Sequence, residues 1–486
     1  ILTPPPGAVK IMQDPSIFVG EGLPVAFSSI SFLFYFLPLF FLLYYLIPAR
    51  AKNIVLLAGS LFFYAWGEPR WILLLLASIL VTWLLGRAMR PEDGAGRRRG
   101  LLILGLVFQL GLLVAVKYAG FFFGALIDLP KLHLPLGVSF YTFHAISYLV
   151  DVYRQKTPPQ KNLLRLGLYL ALFPKLVMGP IVPYHELEPT LAQRTIDAQD
   201  VSDGCFRFTI GLAKKALLAD ALAGLVTGIW GDLASLTVLS AWLGLIGYAL
   251  QLYFDFSGYS DMAIGLGRML GFRFPENFRY PYLCSSISDF WRRWHISLGS
   301  WFKEYLYFPL GGSRAGTLRT LRNLLLVWLA TGLWHGASWN YVLWGLYFGV
   351  LICLEKLLAP RFRSHPRKGL LAGLYRPVCL LLAVLGWVLF RAEDLPAAGR
   401  YFACLFGGAA AVSAQARLYL HDFWPVLLLG MVGATPLCAK LAGRLGAKQR
   451  PGVRAAVQAV LVLALLACST LWLLNGSFQS FVYFQF

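Results

Sequence analysis

The sequence predicts an all-α polytopic membrane protein, and three observations carry that prediction. The 486 residues are 58% hydrophobic and only 14% charged, where a soluble chain carries about 25% charged residues. Residues 23–49, 233–254, 423–439 and 455–486 contain no Asp, Glu, Lys or Arg, and about 20 apolar residues suffice for a helix to cross a hydrocarbon core of roughly 30 Å. These runs are also too long and too aromatic for barrel strands, which alternate weakly over about ten residues. An ordinary cytosolic enzyme, a disordered chain and a nucleic-acid binder working through a basic surface are excluded together.

With the shorter runs included, roughly eleven hydrophobic segments are expected, some of them, such as 54–67, short enough to be re-entrant or tilted. Residues 1–25 open on Ile1 rather than Met and carry Thr3-Pro4-Pro5-Pro6 without a basic region followed by an apolar one. They are read as an appended or displaced segment and not a signal peptide, and residues 26–486 as a single transmembrane domain. Lys and Arg outnumber Asp and Glu by 43 to 23, a net charge of +20. They gather in five short loops: Arg50 with Lys52; Arg97 to Arg99; Arg154, Lys156, Lys161 and Arg165; Arg361 to Lys368; and Arg444 to Arg454. The positive-inside rule makes all five cytoplasmic. Segment 31–46 then enters the cytoplasm, 54–67 with 71–85 forms a return loop, 101–126 leaves and 133–150 comes back. Near the other end 370–390 leaves, 423–439 returns and 455 onward leaves again, so both termini are expected outside. The surplus charge fits topology plus anionic lipid headgroups, and it would also attract an anionic donor.

Ionisable side chains inside a membrane are expensive, so each is a functional candidate. The sharpest is His335, in Thr331-Gly332-Leu333-Trp334-His335-Gly336-Ala337-Ser338, within residues 323–354 that hold no Asp, Glu, Lys or Arg. The bracketing glycines allow close helix approach or a local break, and an imidazole is well suited to take a proton near neutral pH. A histidine that merely packs between helices is the alternative, and the residues alone leave the two readings balanced. Ser288-Asp289-Phe290-Trp291-Arg292-Arg293-Trp294-His295-Ile296-Ser297-Leu298 is too polar for a lipid-facing span and too aromatic for a solvated loop. It reads first as an interfacial or re-entrant segment. The functional reading has Arg292 or Arg293 hold phosphate or carboxylate while His295 assists chemistry. Asp255 and Asp261, at the end of a long apolar run, would pair with those arginines or orient an imidazole. Gly265-Leu266-Gly267 misses the dinucleotide spacing, His144 and Asp151 miss the His-x4-Asp spacing, and neither a GxSxG elbow nor a P-loop occurs. The seven scattered cysteines suggest neither a zinc site nor a disulfide framework, and no metal is expected.

Taken together, residues 251–262, Trp291-Arg292-Arg293-Trp294-His295-Ile296-Ser297-Leu298, Tyr305-Leu306-Tyr307 before Leu310-Gly311-Gly312, and Gly332-Leu333-Trp334-His335-Gly336-Ala337 resemble the membrane-bound O-acyltransferase (MBOAT) family. The likeness is greatest to its bacterial polysaccharide branch, whose type is alginate O-acetylation. Leu134-Pro135-Leu136-Gly137, Gly179-Pro180-Ile181 and Trp387-Val388-Leu389-Phe390-Arg391-Ala392 extend it from about residue 26 to the end. The resemblance implies a ring of tilted helices around a central tunnel in a bacterial cytoplasmic membrane. It makes His335 the signature catalytic residue and His295 the second histidine of the site, with Asp261, Arg292, Arg293, Trp334 and Ser338 binding or orienting substrate.

The activity implied is transfer of an acetyl group from cytosolic acetyl-CoA, a substrate rather than a resident cofactor, toward hydroxyls of an exported polysaccharide. The chain has little hydrophilic mass outside the membrane, 391–422 being the longest candidate outer segment, so an extracytoplasmic acetyl-accepting transferase is the expected partner. The alternative within the class is a D-alanyl transferase for teichoic acid fed by a carrier-protein thioester. A transporter or channel using His335 and Asp261 as a proton relay lacks the duplicated halves such proteins show.

Overall fold

The computed structural model describes residues 26–123, 134–314, 316–363, 370–447, 449–475 and Phe481. The expected extra segment 1–25 and most of the aromatic C-terminal run lie outside the described residues. Among those described, every regular element is helical. Short 3-10 and π turns and the helices Ala119–Phe123 and Phe173–Leu176 apart, they are in order α1 (Leu37–Leu46), α2 (Lys52–Gly67), α3 (Ile72–Ala88), α4 (Ala95–Leu113), α5 (Val138–Tyr153), α6 (Leu163–Ala171) and α7 (Tyr184–Ala192). Then come α8 (Ala198–Ala213), α9 (Asp220–Trp230), α10 (Val238–Met269), α11 (Ile287–Trp291), α12 (Ile296–Phe302) and α13 (Thr317–His335). Last are α14 (Trp339–Arg363), α15 (Leu370–Arg391), α16 (Leu395–Leu405), α17 (Ala414–Gly433), α18 (Leu437–Ala447) and α19 (Pro451–Asn475).

Among the described residues, four helices are long and apolar enough to cross a membrane: Ala95–Phe122, Val238–Met269, Trp339–Leu358 and Gly452–Asn475. The apolar run 423–439, expected as one returning span, bends instead by 65° between α17 and α18, where Thr435-Pro436 interrupts the helix. The segments counted in the sequence thus include short helices such as Phe32–Leu46 and Ile72–Ala88, as length alone suggests for 54–67.

The middle of the structure is α10. A Thr237–Ser240 capping box starts it, and its 32 residues run about 48 Å at 1.5 Å each, more than a bilayer core requires. Of its most apolar window 78% is buried inside the protein, against 6% for Gly452–Asn475. Polarity follows burial, because α10 carries Asp255 and Asp261 where α19 presents leucines outward. A glycine seam sets the closest helix approach. A Cβ on Gly258 would lie 2.7 Å from the Gly211 carbonyl oxygen, and one on Gly204 would lie 2.7 Å from that of Gly265. The seam lays the end of α8 along α10 and brings Lys215 Nζ to Asp255 at 2.7 Å and to Asp220 at 2.8 Å. The arginines of the following segment, the partners expected for Asp255, are not the ones it pairs with. The seam places the lysine one helix away, where sequence distance gave no hint of it.

Two aromatic-rich cores meet along α10. One gathers Phe27, Phe32, Phe173, Tyr259, Trp301 and Trp334, the other Phe254, Phe290, Trp294, Trp344, Trp387 and Phe390. His295 follows Trp294 of the second core, and His335 follows Trp334 of the first. Both histidines therefore stand at the junction.

Candidate active site

Residues 323–354 fold as a helical hairpin. α13 ends at His335, Gly336 is extended at φ −166°, and α14 starts at Trp339. The glycines do both things their spacing allows. A side chain on Gly332 would run into the Tyr341 carbonyl, and one on Gly336 into the Tyr341 ring, so the two arms close tightly and the helix breaks beside the imidazole. His335 is buried. Its ring lies 4.9 Å from those of Trp334 and Trp344 and 5.1 Å from Phe390, edge to face in each case. It borders an open cavity with about 480 Å³ of empty space, mouth included, lined by Lys117, residues 134–140, Val177, Trp334 and His335. Lys117 Nζ donates to the Trp334 carbonyl at 2.6 Å and to the His335 carbonyl at 3.1 Å.

His295 reaches the same place from the α11–α12 segment. That segment is two short helices, and His295 sits between them at φ 46° as the residue before α12. The left-handed backbone turns the chain sharply and drives the ring inward, against Phe256 at 4.6 Å and within 6.0 Å of the Trp334 ring. Trp334 is the neighbour shared by both imidazoles, held in turn by a stacked contact with Phe143. The tautomer of His295 follows from its one protein partner. Asn277 Oδ1 accepts from the Ser297 N–H at 3.2 Å and the Ser297 hydroxyl at 2.9 Å, while Asn277 Nδ2 donates to Ser260 Oγ. That oxygen is thus an acceptor, and His295 Nδ1, 3.2 Å away, must carry the proton. Nε2 is left as a buried lone pair with no hydrogen-bond partner among the described residues.

The other candidates are dispersed. Asp261 is held by Arg207 and Lys214, each at 2.6 Å, and Arg207 continues to Glu276. This is an ion-pair network on α10 outside the cavity lining. Arg292 is 71% exposed and 3.8 Å from Asp289, and Arg293 pairs with the same carboxylate at 3.0 Å. Ser338 accepts from the Asn340 N–H and shapes the hairpin turn. In the basic loop at 154–165, Arg154 and Lys156 clamp Glu304 at 2.9 and 2.7 Å, and the Lys156 hydrogen bond holds that carboxyl below its usual range. All seven cysteines are free, and no group of three metal-ligating side chains occurs among the described residues.

Sequence reasoning missed two residues of the site. Lys117 is the single charged residue between positions 100 and 127, a signal of the same kind that singled out His335. Asn277, in a loop after α10, carries no pattern of its own, and only the fold reveals what it touches.

The membrane-bound O-acyltransferase family model matches residues 60–383. A probable alginate O-acetylase of Azotobacter vinelandii is 39% identical over 507 aligned positions, covering 95% of this chain and 100% of that one. Its counterpart in Pseudomonas aeruginosa is 43% identical over 79% of this chain and 75% of its own. A peptidoglycan O-acetyltransferase of Helicobacter pylori is 36% identical over 76% and 78% respectively. With an all-helical membrane fold carrying the matched region, the chain belongs to the membrane-bound O-acyltransferase family and is an acyltransferase.

Proposed function

We propose that this enzyme moves an acetyl group from cytosolic acetyl-CoA to hydroxyls of an exported polysaccharide, in a bacterial cytoplasmic membrane, directly or through an extracytoplasmic acetyl-accepting partner. The observation that carries the reading is a pair of buried imidazoles flanking one indole beside a cavity in an otherwise apolar region. The relatives named for alginate and peptidoglycan O-acetylation support a glycan acceptor. His335 takes the proton of the acceptor hydroxyl as its oxygen adds to the thioester carbonyl. Collapse of the tetrahedral intermediate expels the thiolate, which recovers the proton, and coenzyme A leaves on the cytoplasmic side. His295, with Nε2 bare, is the second member of the same unit, and Trp334 fixes the spacing of the pair. Asp261, Arg292, Arg293 and Ser338 act from further out, on segment geometry and approach of the donor.

A general base of this kind contributes roughly 10²–10⁴-fold. His335→Ala should therefore abolish labelled-acetyl transfer in purified protein that still folds. His295→Ala should lower turnover strongly yet add little on top of His335→Ala, because residues acting as a unit are not additive. Near-normal turnover by a folded His335→Ala protein would remove that residue from the mechanism. The partner is tested separately: acetylation of polymer should need an extracytoplasmic extract, and full acetylation by the chain alone would sink that requirement.

A further inference from the structure

Base catalysis leaves one basic side chain in the cavity without a task. Lys117 lies on a π-helical turn, Val114–Tyr118, that interrupts the long helix begun by α4. Such turns are rare and frequent at functional sites. This one aims the lysine across the cavity at the end of α13. Two of its three ammonium donors go to the carbonyls of Trp334 and His335, and no carboxylate among the described residues pairs with it. The rest of the lining is apolar apart from Ser139, His335 and backbone groups. An amine held there, once protonated, acts strongly on any negative charge that develops nearby.

We propose that Lys117 is a catalytic residue whose remaining N–H donates to the thioester carbonyl oxygen as that oxygen becomes an oxyanion. The assignment rests on the acyl-transfer reading of the His335 site. The acceptor hydroxyl oxygen forms the new C–O bond as its proton passes to His335, and the carbonyl π pair moves onto the oxygen facing Lys117. That pair then returns, the C–S bond breaks, and the thiolate takes the proton from the imidazolium, leaving ester and free thiol. The two carbonyl contacts hold the ammonium in register with the imidazole, so base and oxyanion donor are set by the same end of α13.

A lysine can also simply cap a helix C-terminus, so the test must move something a cap would not. Purified full-length wild type, Lys117→Met, Lys117→Arg and His335→Ala are assayed with acetyl-CoA and with its dithioester analogue, whose C=S is a poor hydrogen-bond acceptor. Lys117→Met should lower kcat for the oxygen donor by about 10²–10³-fold with little change in KM. The wild-type preference for oxygen over sulfur should fall by a similar factor, and Lys117→Arg should restore most of it. The donor preference is a ratio, so it does not depend on how much of a variant folds. An unchanged ratio in Lys117→Met, with both donors slowed alike, would reduce Lys117 to a cap and overturn the proposal. Normal turnover in His335→Ala would instead overturn the base assignment, a result read from a different variant.

Discussion

Asn277→Leu is the sharpest test of how His295 is set. The side chain is fully buried and its amide serves four groups: His295 Nδ1, the Ser297 N–H, the Ser297 hydroxyl and Ser260 Oγ. Leucine keeps the volume and removes every one of these bonds. The bond to His295 is worth about 0.5–1.5 kcal/mol net, and without it the Nδ1–H tautomer loses its advantage, a fall of roughly 2- to 12-fold in its ratio to the Nε2–H form. The orphaned Ser297 N–H adds about 1–3 kcal/mol of instability. The expected outcome is a kcat lowered several-fold, donor KM near normal, and a clear drop in the unfolding temperature of the purified protein. Asn277→Asp keeps an acceptor opposite Nδ1 and should retain more turnover than the leucine variant. Wild-type kcat in a destabilised Asn277→Leu protein would refute the reasoning, since the tautomer would then be set by something else or not matter.

Two further predictions concern the frame around the site. Gly258→Ala places a methyl 2.7 Å from the Gly211 carbonyl oxygen, and the overpacking should cost about 1–3 kcal/mol, read as earlier thermal unfolding in detergent with turnover falling in step; unchanged stability would mean the seam is not tight. Lys215→Met leaves Asp255 and Asp220 facing each other without their shared cation, and breaking a buried pair costs about 3–5 kcal/mol. Adding Asp255→Leu and Asp220→Asn should recover part of that loss, and a failure to recover would assign the damage to something other than uncompensated charge.

Much of the architecture was legible because membranes make composition speak. Charge-free runs gave the class, and residues 288–298 fold as two short helices around a tight turn with Phe290, Trp294 and His295 buried. The glycines bracketing His335 announced the break that ends α13. What did not show was lateral pairing. Asp255 and Asp261 are equally plausible partners for any nearby cation in one dimension, and only the α8–α10 glycine seam decides for Lys215, Lys214 and Arg207. Arg292 and Arg293 read first as part of an interfacial segment and second as anion ligands; Asp289 pairs with Arg293 at 3.0 Å and lies 3.8 Å from Arg292, which stays exposed. The bend between α17 and α18 was hidden by hydropathy, which scores Thr435-Pro436 as part of a run although it cannot continue a helix.

The position of the histidines at the junction of two aromatic cores has a chemical reason within the proposed mechanism. Proton transfer to a neutral imidazole creates a cation while addition to the thioester creates an anion, so the step generates charge separation without changing the net charge. In water that separation is cheap but the thioester is exposed to hydrolysis. In a purely apolar interior hydrolysis is suppressed, yet the separated charges are costly. Trp334, Trp344 and Phe390 pack edge-on around His335, while Lys117 places a donor on the cavity wall and the fixed His295 tautomer an acceptor beside Trp334. Lys117 is tied to two carbonyls and His295 to an amide, so these groups need little reorientation when the charges appear, which is the condition under which buried dipoles lower a barrier. A site of this construction belongs where two packed halves meet, because each wall can be rigid and dry while the seam between them still admits a donor and an acceptor.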